Sequence, residues 1–241
     1  MKLYTAVLAH QPNHPIAKKA LRQLQKRLPQ NKPVETETSS PSQDQINSLV
    51  NLYQSDQMTK AEQACRELLQ AYPQSLFVMN VLGAALRGQG KLQEAVQAYN
   101  RAIQLKPDYN ESHFNLGNTL QSLGRLDEAV ASYGKAIQLK PDYSGSHINL
   151  GTALRALGRL EEAEASYRKT IVLKPDYADA HSNLGVTLQE LGKLEDALTQ
   201  YKKSFELLRG KNPVDPLHKS FRLISKAKIK HDIEQLSLIH I

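Results

Sequence analysis

Three histidines, His113, His147 and His181, recur 34 residues apart in this 241-residue chain and are the first residues that could hold a metal. Zinc needs ligand atoms about 2 Å from one centre. Equivalent side chains on helices packed about 8–10 Å apart run parallel and do not converge. The series therefore predicts half-buried packing residues and no metal site. Gly88-Gln89-Gly90-Lys91 has the glycines and lysine of a phosphate loop, but no strand precedes it and the GxxxxGK[ST] spacing is missing, so it reads as a turn between helices. Cys65 is the single cysteine, which excludes an intramolecular disulfide framework and suits a small core position. No HExxH motif and no Ser/His/Asp grouping occurs, so neither a catalytic site nor a cofactor is expected. The remaining series is Asn115, Asn149 and Asn183, whose carboxamides each carry two donors and an acceptor.

All of these residues are placed by one repeat. Leu105 to Tyr109 reads LKPDY and returns unchanged at 139–143 and 173–177, a period of 34 that marks a stacked two-helix unit. Full units are expected at 76–109, 110–143, 144–177 and 178–211, with a degenerate unit at 42–75. Gly83, Gly117, Gly151 and Gly185 lack a Cβ and let the partner helix approach, although glycine costs about 1 kcal/mol inside a helix. Ala61, Ala95, Ala129, Ala163 and Ala197 mark the hairpin crossing, and Tyr99, Tyr133, Tyr167 and Tyr201 join the leucines in the buried stripe. Gly90, Gly124, Gly158 and Gly192 stand where a left-handed residue ends the first helix. Acidic pairs such as Asp127-Glu128 open the second helix; Lys106, Lys140 and Lys174 close it, and Pro107, Pro141 and Pro175 stop it.

With Leu116 and Gly117 in the first helix, Ala129, Tyr133 and Ala136 in the second and Pro141 after it, the unit resembles the tetratricopeptide repeat family over residues 42–211. The resemblance implies an all-α, right-handed superhelical solenoid of antiparallel helix hairpins with a concave groove that binds protein or peptide. It is similar in particular to the superhelix of O-linked N-acetylglucosaminyltransferases, in which an asparagine ladder faces the groove and holds the backbone of an extended chain. The matching positions are Asn115, Asn149 and Asn183, with Asn80, Arg87, Phe114, Asn118, Thr152, Arg155 and Gln189 as neighbouring groove residues by analogy. Rungs about 10 Å apart match roughly three residues of extended chain at 3.3 Å each. Val81 takes the ladder position in the unit from Leu76. The family's chaperone-tail clamp puts lysine one position before the ladder, where this chain has Phe114, Ile148 and Ser182. Alanine at the three asparagines is expected to weaken binding and to leave melting unchanged.

The net charge of +7 is a matter of the ends, with an excess of five positive charges in residues 1–40, one negative charge in 42–210 and three positive charges from Lys211 onward. A neutral array with basic flanks argues for protein and against nucleic-acid partners. No stretch approaches a membrane span and no signal peptide is legible, so a cytoplasmic, non-membrane protein is expected. Residues 1–28 read as an incomplete repeat followed by a basic helix, 29–41 as a flexible linker and 212–235 as a capping helix or connector. Residues 236–241, LSLIHI, can be encoded by a widely used transposon-based sequencing adapter and are expected to be foreign to the protein. The leading expectation is a scaffold that binds an extended peptide. The alternative is the substrate-recruiting part of a bacterial enzyme whose glycosyltransferase, sulfotransferase or oxygenase domain would follow residue 235.

Overall fold

A computed structural model describes residues 40–209; the expectations for 1–28, for 29–39 of the linker, and for 212–235 and 236–241 lie outside the described residues. Among the described residues there are ten α-helices and no strand. They are α1 (Gln43–Gln54), α2 (Met58–Ala71), α3 (Leu76–Gly88), α4 (Leu92–Leu105), α5 (Asn110–Ser122), α6 (Leu126–Leu139), α7 (Ser144–Ala156), α8 (Leu160–Leu173), α9 (Ala178–Glu190) and α10 (Leu194–Arg209). Consecutive pairs form five antiparallel hairpins, stacked as an all-α solenoid.

The hairpin turn follows from one backbone position. Gly90, Gly124, Gly158 and Gly192 have φ of 76°, 73°, 75° and 77°. Each lets the next amide reach back, as Lys91 N does to Leu86 O at 2.9 Å and Arg125 N to Leu120 O at 2.9 Å, which satisfies a terminal carbonyl of the first helix. In the first hairpin Asp56 takes this position with φ 57°, and Gln57 N makes the equivalent bond to Leu52 O at 3.0 Å. Aspartate tolerates the left-handed region better than most residues with a side chain.

Within a hairpin the helices lock through a glycine and a tyrosine. A Cβ added to Gly83, Gly117, Gly151 or Gly185 would stand 2.6, 2.6, 2.8 or 2.5 Å from the ring of Tyr99, Tyr133, Tyr167 or Tyr201. Those four rings are fully buried, as are the crossing alanines Ala61, Ala95, Ala129, Ala163 and Ala197. The first hairpin inverts the pair: Leu49 stands at the glycine position and Cys65 at the tyrosine position, both buried, so volume moves from one helix to the other.

The first helices of neighbouring hairpins, α1, α3, α5, α7 and α9, approach one another in turn through their backbones, whereas the second helices come this close only to first helices and reach each other by side chains, as Arg66 of α2 does to Glu94 of α4 at 2.9 Å. The first helices therefore form the closer-packed inner wall, and their free face is the concave one. Two seams carry an ionic pin. Glu62 on α2 accepts from Lys91 Nζ at 2.7 Å, Gln89 Nε2 at 2.9 Å and Arg66 Nε at 2.9 Å, and Glu164 on α8 accepts from Lys193 Nζ at 2.7 Å beside Arg168. Val96 and Val130 occupy the same repeat position in α4 and α6; there Arg125 and Arg159 turn instead to Glu128 and Glu162, three residues along the chain.

Candidate functional site

The side chains on the inner wall come from the middle and last turns of α3, α5, α7 and α9. Their positions between the buried leucines leave them half-buried, with one side on the neighbouring helix and one toward solvent. The ladder asparagines are among these, and two of them are already engaged. Asn115 Nδ2 donates to Asn80 Oδ1 at 3.1 Å, joining α5 to α3, and Asn149 Nδ2 donates to Asn118 Oδ1 at 2.8 Å, joining α7 to α5. The Asn183 carboxamide makes no hydrogen bond among the described residues.

The core tyrosines reach this wall from behind. Tyr133 Oη lies 2.9 Å from Asn118 Oδ1 and 2.8 Å from Gln121 Oε1, Tyr167 Oη donates to Thr152 Oγ1 at 3.2 Å and Tyr201 Oη to Gln189 Oε1 at 2.9 Å. One phenolic proton serves only one of these two carbonyl oxygens at a time, so the Tyr133 hydroxyl is shared between Asn118 and Gln121. A chain then runs from Gln121 through Tyr133 to Asn118, which also accepts from Asn149. Burial raises the pKa of Tyr99, Tyr133 and Tyr167 above the usual phenol value and pushes Tyr201 up to about 12, so these hydroxyls stay protonated.

Phe114 fills the wall between two tyrosines, edge-on to Tyr143 with ring centroids 5.1 Å apart and tilted against Tyr133 at 6.2 Å. Arg155 Nη1 donates to Glu190 Oε1 of the next hairpin at 3.0 Å. Arg87, at the same repeat position two hairpins earlier, has no ion pair among the described residues, and its buried Nε is without a hydrogen-bond partner. The structure thus brings together Asn80 with Asn115 and Asn118 with Asn149, while Asn183 stands alone. Residues missed by sequence reasoning are Gln121 and Glu190. Their signal was a position 12 residues before a core tyrosine for Gln121, and a separation of one repeat plus one residue from Arg155 for Glu190.

The three histidines have a different task. Each Nε2 faces the carbonyl of the preceding turn proline: His113 to Pro107 O at 2.8 Å, His147 to Pro141 O at 2.9 Å and His181 to Pro175 O at 3.0 Å. A carbonyl only accepts, so Nε2 carries the proton and the ring ties the incoming helix to the turn before it. No group of three or more His, Cys, Asp or Glu converges among the described residues. Burial pushes the Cys65 thiol up to about 12, which removes thiolate reactivity. No helix among the described residues is long and apolar enough to cross a membrane. The wall's chemistry is that of carboxamide, hydroxyl and guanidinium groups held in fixed order along a concave face.

Hairpins of this geometry, with a Gly-Tyr lock inside four of the five and a 34-residue step between them, define a helical-repeat solenoid. Matches described as TPR repeat cover residues 83–124 and 151–192, and matches described as tetratricopeptide repeat cover 111–143 and 178–210. The chain belongs to the tetratricopeptide repeat family. Among curated proteins it is similar to the peroxisomal targeting signal receptors of Saccharomyces cerevisiae (35% identity) and Candida glabrata (33%) over 63 residues, 26% of this chain. That stretch spans 10% and 11% of the lengths of those relatives. Among solved structures, MamA from Desulfovibrio magneticus RS-1 aligns with a TM-score of 0.65 at 19% identity, covering 70% of this chain and 95% of that one. YrrB, described as a TPR protein with an unusual peptide-binding site, aligns with a TM-score of 0.62 at 20% identity, covering 80% and 94%. At these identities the structures share the fold.

Proposed function

We propose that this chain is a protein-interaction scaffold that holds an extended polypeptide along the concave face of its first helices. The observation that carries the reading is the spare hydrogen-bonding capacity of the ladder. Asn115 spends one N–H on Asn80 and keeps a second N–H and a carbonyl, Asn149 bonds Asn118 and the Tyr133 hydroxyl and keeps its carbonyl, and Asn183 keeps all of its groups. Rungs set by helix spacing of about 10 Å would meet every third residue of an extended chain. A peptide-binding site is named for the similarly folded YrrB and a targeting signal for the yeast receptors, which agrees with a polypeptide ligand.

Three amide rungs do not suffice on their own. Each contributes about 0.5–1.5 kcal/mol net, against an association cost of roughly 4–15 kcal/mol. Asn80, Arg87, Phe114, Asn118, Thr152, Arg155 and Gln189 supply the remaining contacts in this reading. The test is selection of peptides from a random displayed library on the full chain, followed by affinity measurement on Asn183→Ala. A loss of about 3- to 10-fold is expected for one amide contact. Unchanged affinity for every selected peptide would remove the ladder from the binding mode.

A further inference from the structure

Arg87 and Arg155 stand at one repeat position, two hairpins apart, in closely similar surroundings. Each guanidinium lies beside the core tyrosine of its own hairpin, Tyr99 or Tyr167, and each has a buried Nε without a partner. They differ in one respect. Arg155 is met by the Glu190 carboxylate, 35 residues on, across the seam at 3.0 Å. Thirty-five residues after Arg87 stands Ser122, whose hydroxyl turns back to its own helix at Asn118 O. Ala84 stands where Asn118 receives the tyrosine hydroxyl in the next hairpin, so Tyr99 Oη is also buried without a partner. Arg87 thus stands beside the Tyr99 phenol and near Tyr133 at the inner wall, a cation with no carboxylate partner among the described residues.

We infer that Arg87 forms a carboxylate-reading position in the concave groove, supplied in trans by an acidic group on the bound polypeptide where Glu190 supplies it in cis to Arg155. This rests on the peptide-groove reading above and adds the chemistry of the ligand. The Arg155-Glu190 pair is the fold's own example of a carboxylate seated against an arginine at this position. A guanidinium offers five donors in a planar fork, so one carboxylate can accept from two of them at once. The carboxylate can come from an Asp or Glu side chain or from a free chain terminus.

Two displayed random dodecapeptide libraries, one fused through its C-terminus and one ending in a free carboxylate, distinguish the sources when selected on the full 241-residue chain. Wild type is expected to enrich Asp or Glu at one fixed position in the first library, or peptides in the second that lose binding when amidated. Arg87→Gln removes the cation. Ser122→Glu places a carboxylate where Glu190 sits relative to Arg155 and so fills the position in cis. Both variants should retain the wild-type helical signal and still select peptides, without the acidic preference, and should bind the wild-type acidic peptides about 10- to 100-fold more weakly. Peptides selected by wild type with no acidic preference, or an acidic preference kept by both variants, would overturn the inference and leave the groove reading standing. No selected peptide at all on wild type would remove both.

Discussion

Asn149 donates its carboxamide N–H to Asn118 Oδ1 at 2.8 Å across the seam between α5 and α7, and the same oxygen lies 2.9 Å from the Tyr133 hydroxyl. The ladder is therefore part of what holds consecutive hairpins together. Asn149→Ala and Asn115→Ala are expected to lower stability by about 0.5–1.5 kcal/mol each, the net worth of one hydrogen bond, and to weaken peptide binding as well. Asn183→Ala, which breaks no bond among the described residues, should leave the denaturation midpoint in place. Urea denaturation of the three variants checks this. Equal destabilisation by all three would contradict the seam bonds.

The glycine-tyrosine lock makes a prediction through its one exception. Gly117→Leu alone drives a side chain into the Tyr133 ring, 2.6 Å from the new Cβ, and should destabilise by about 1–3 kcal/mol or more. Tyr133→Cys alone leaves a cavity and should cost about 3–5 kcal/mol. The double variant reproduces the Leu49-Cys65 pair of the first hairpin and should cost less than the sum by about 1–3 kcal/mol. A double-mutant cycle from denaturation curves measures this coupling, and additive costs would show that the two hairpins do not share one packing rule.

What the sequence made legible was whatever the repeat states several times over in residue types alone. Gly124 as a turn, Ala129 as a crossing and Gly117 against Tyr133 are backbone and volume requirements, and a 34-residue period displays them directly. Side-chain partners across a seam were not legible, because they depend on which way an amide or guanidinium turns once its neighbour is fixed. The sequence-based expectation of unchanged melting is for this reason replaced by a predicted loss of stability at Asn115 and Asn149, which donate to Asn80 and Asn118. The same holds for His113, whose ring was expected only to fill space and instead bonds Pro107 O. Glu62 and Glu164 carried a readable signal, a charge replacing Val96 and Val130 with a lysine 29 residues on, but it appears only when units are compared for their differences.

The histidine bonds predict a tautomer. With Nε2 donating to the carbonyls of Pro107 and Pro141, imidazole 15N shifts of the neutral rings of His113 and His147 should show the Nε2–H form, while His181, bonded to Pro175 O through Nε2, also has Nδ1 2.8 Å from Gln200 Oε1. His147→Met, which copies the Met79 that holds this position in the hairpin from Leu76, should keep the packing and lose the bond, at about 0.5–1.5 kcal/mol. Spectra showing Nδ1–H rings would contradict the turn-tethering role.

Acid should act first on the ionic seams. The bond from Lys91, aided by Gln89 and Arg66 against the opposing effect of burial, lowers the Glu62 carboxyl from 4.5 to about 2, and Lys193 lowers Glu164 in the same direction. A carboxyl that is more acidic in the folded chain binds its proton more readily when unfolded. Its contribution is therefore complete above pH 4.5 and is lost as pH falls from there toward 2. Glu62→Gln keeps the shape and an acceptor but no charge, so its deficit relative to wild type should be largest at pH 6–7 and shrink through that window. Thermal melts of both proteins at half-unit steps from about pH 7 to 2.5 check the sign. A constant deficit across the window would mean that Glu62 holds the seam between α2 and the turn before α4 by packing and neutral hydrogen bonding, with no part played by its charge.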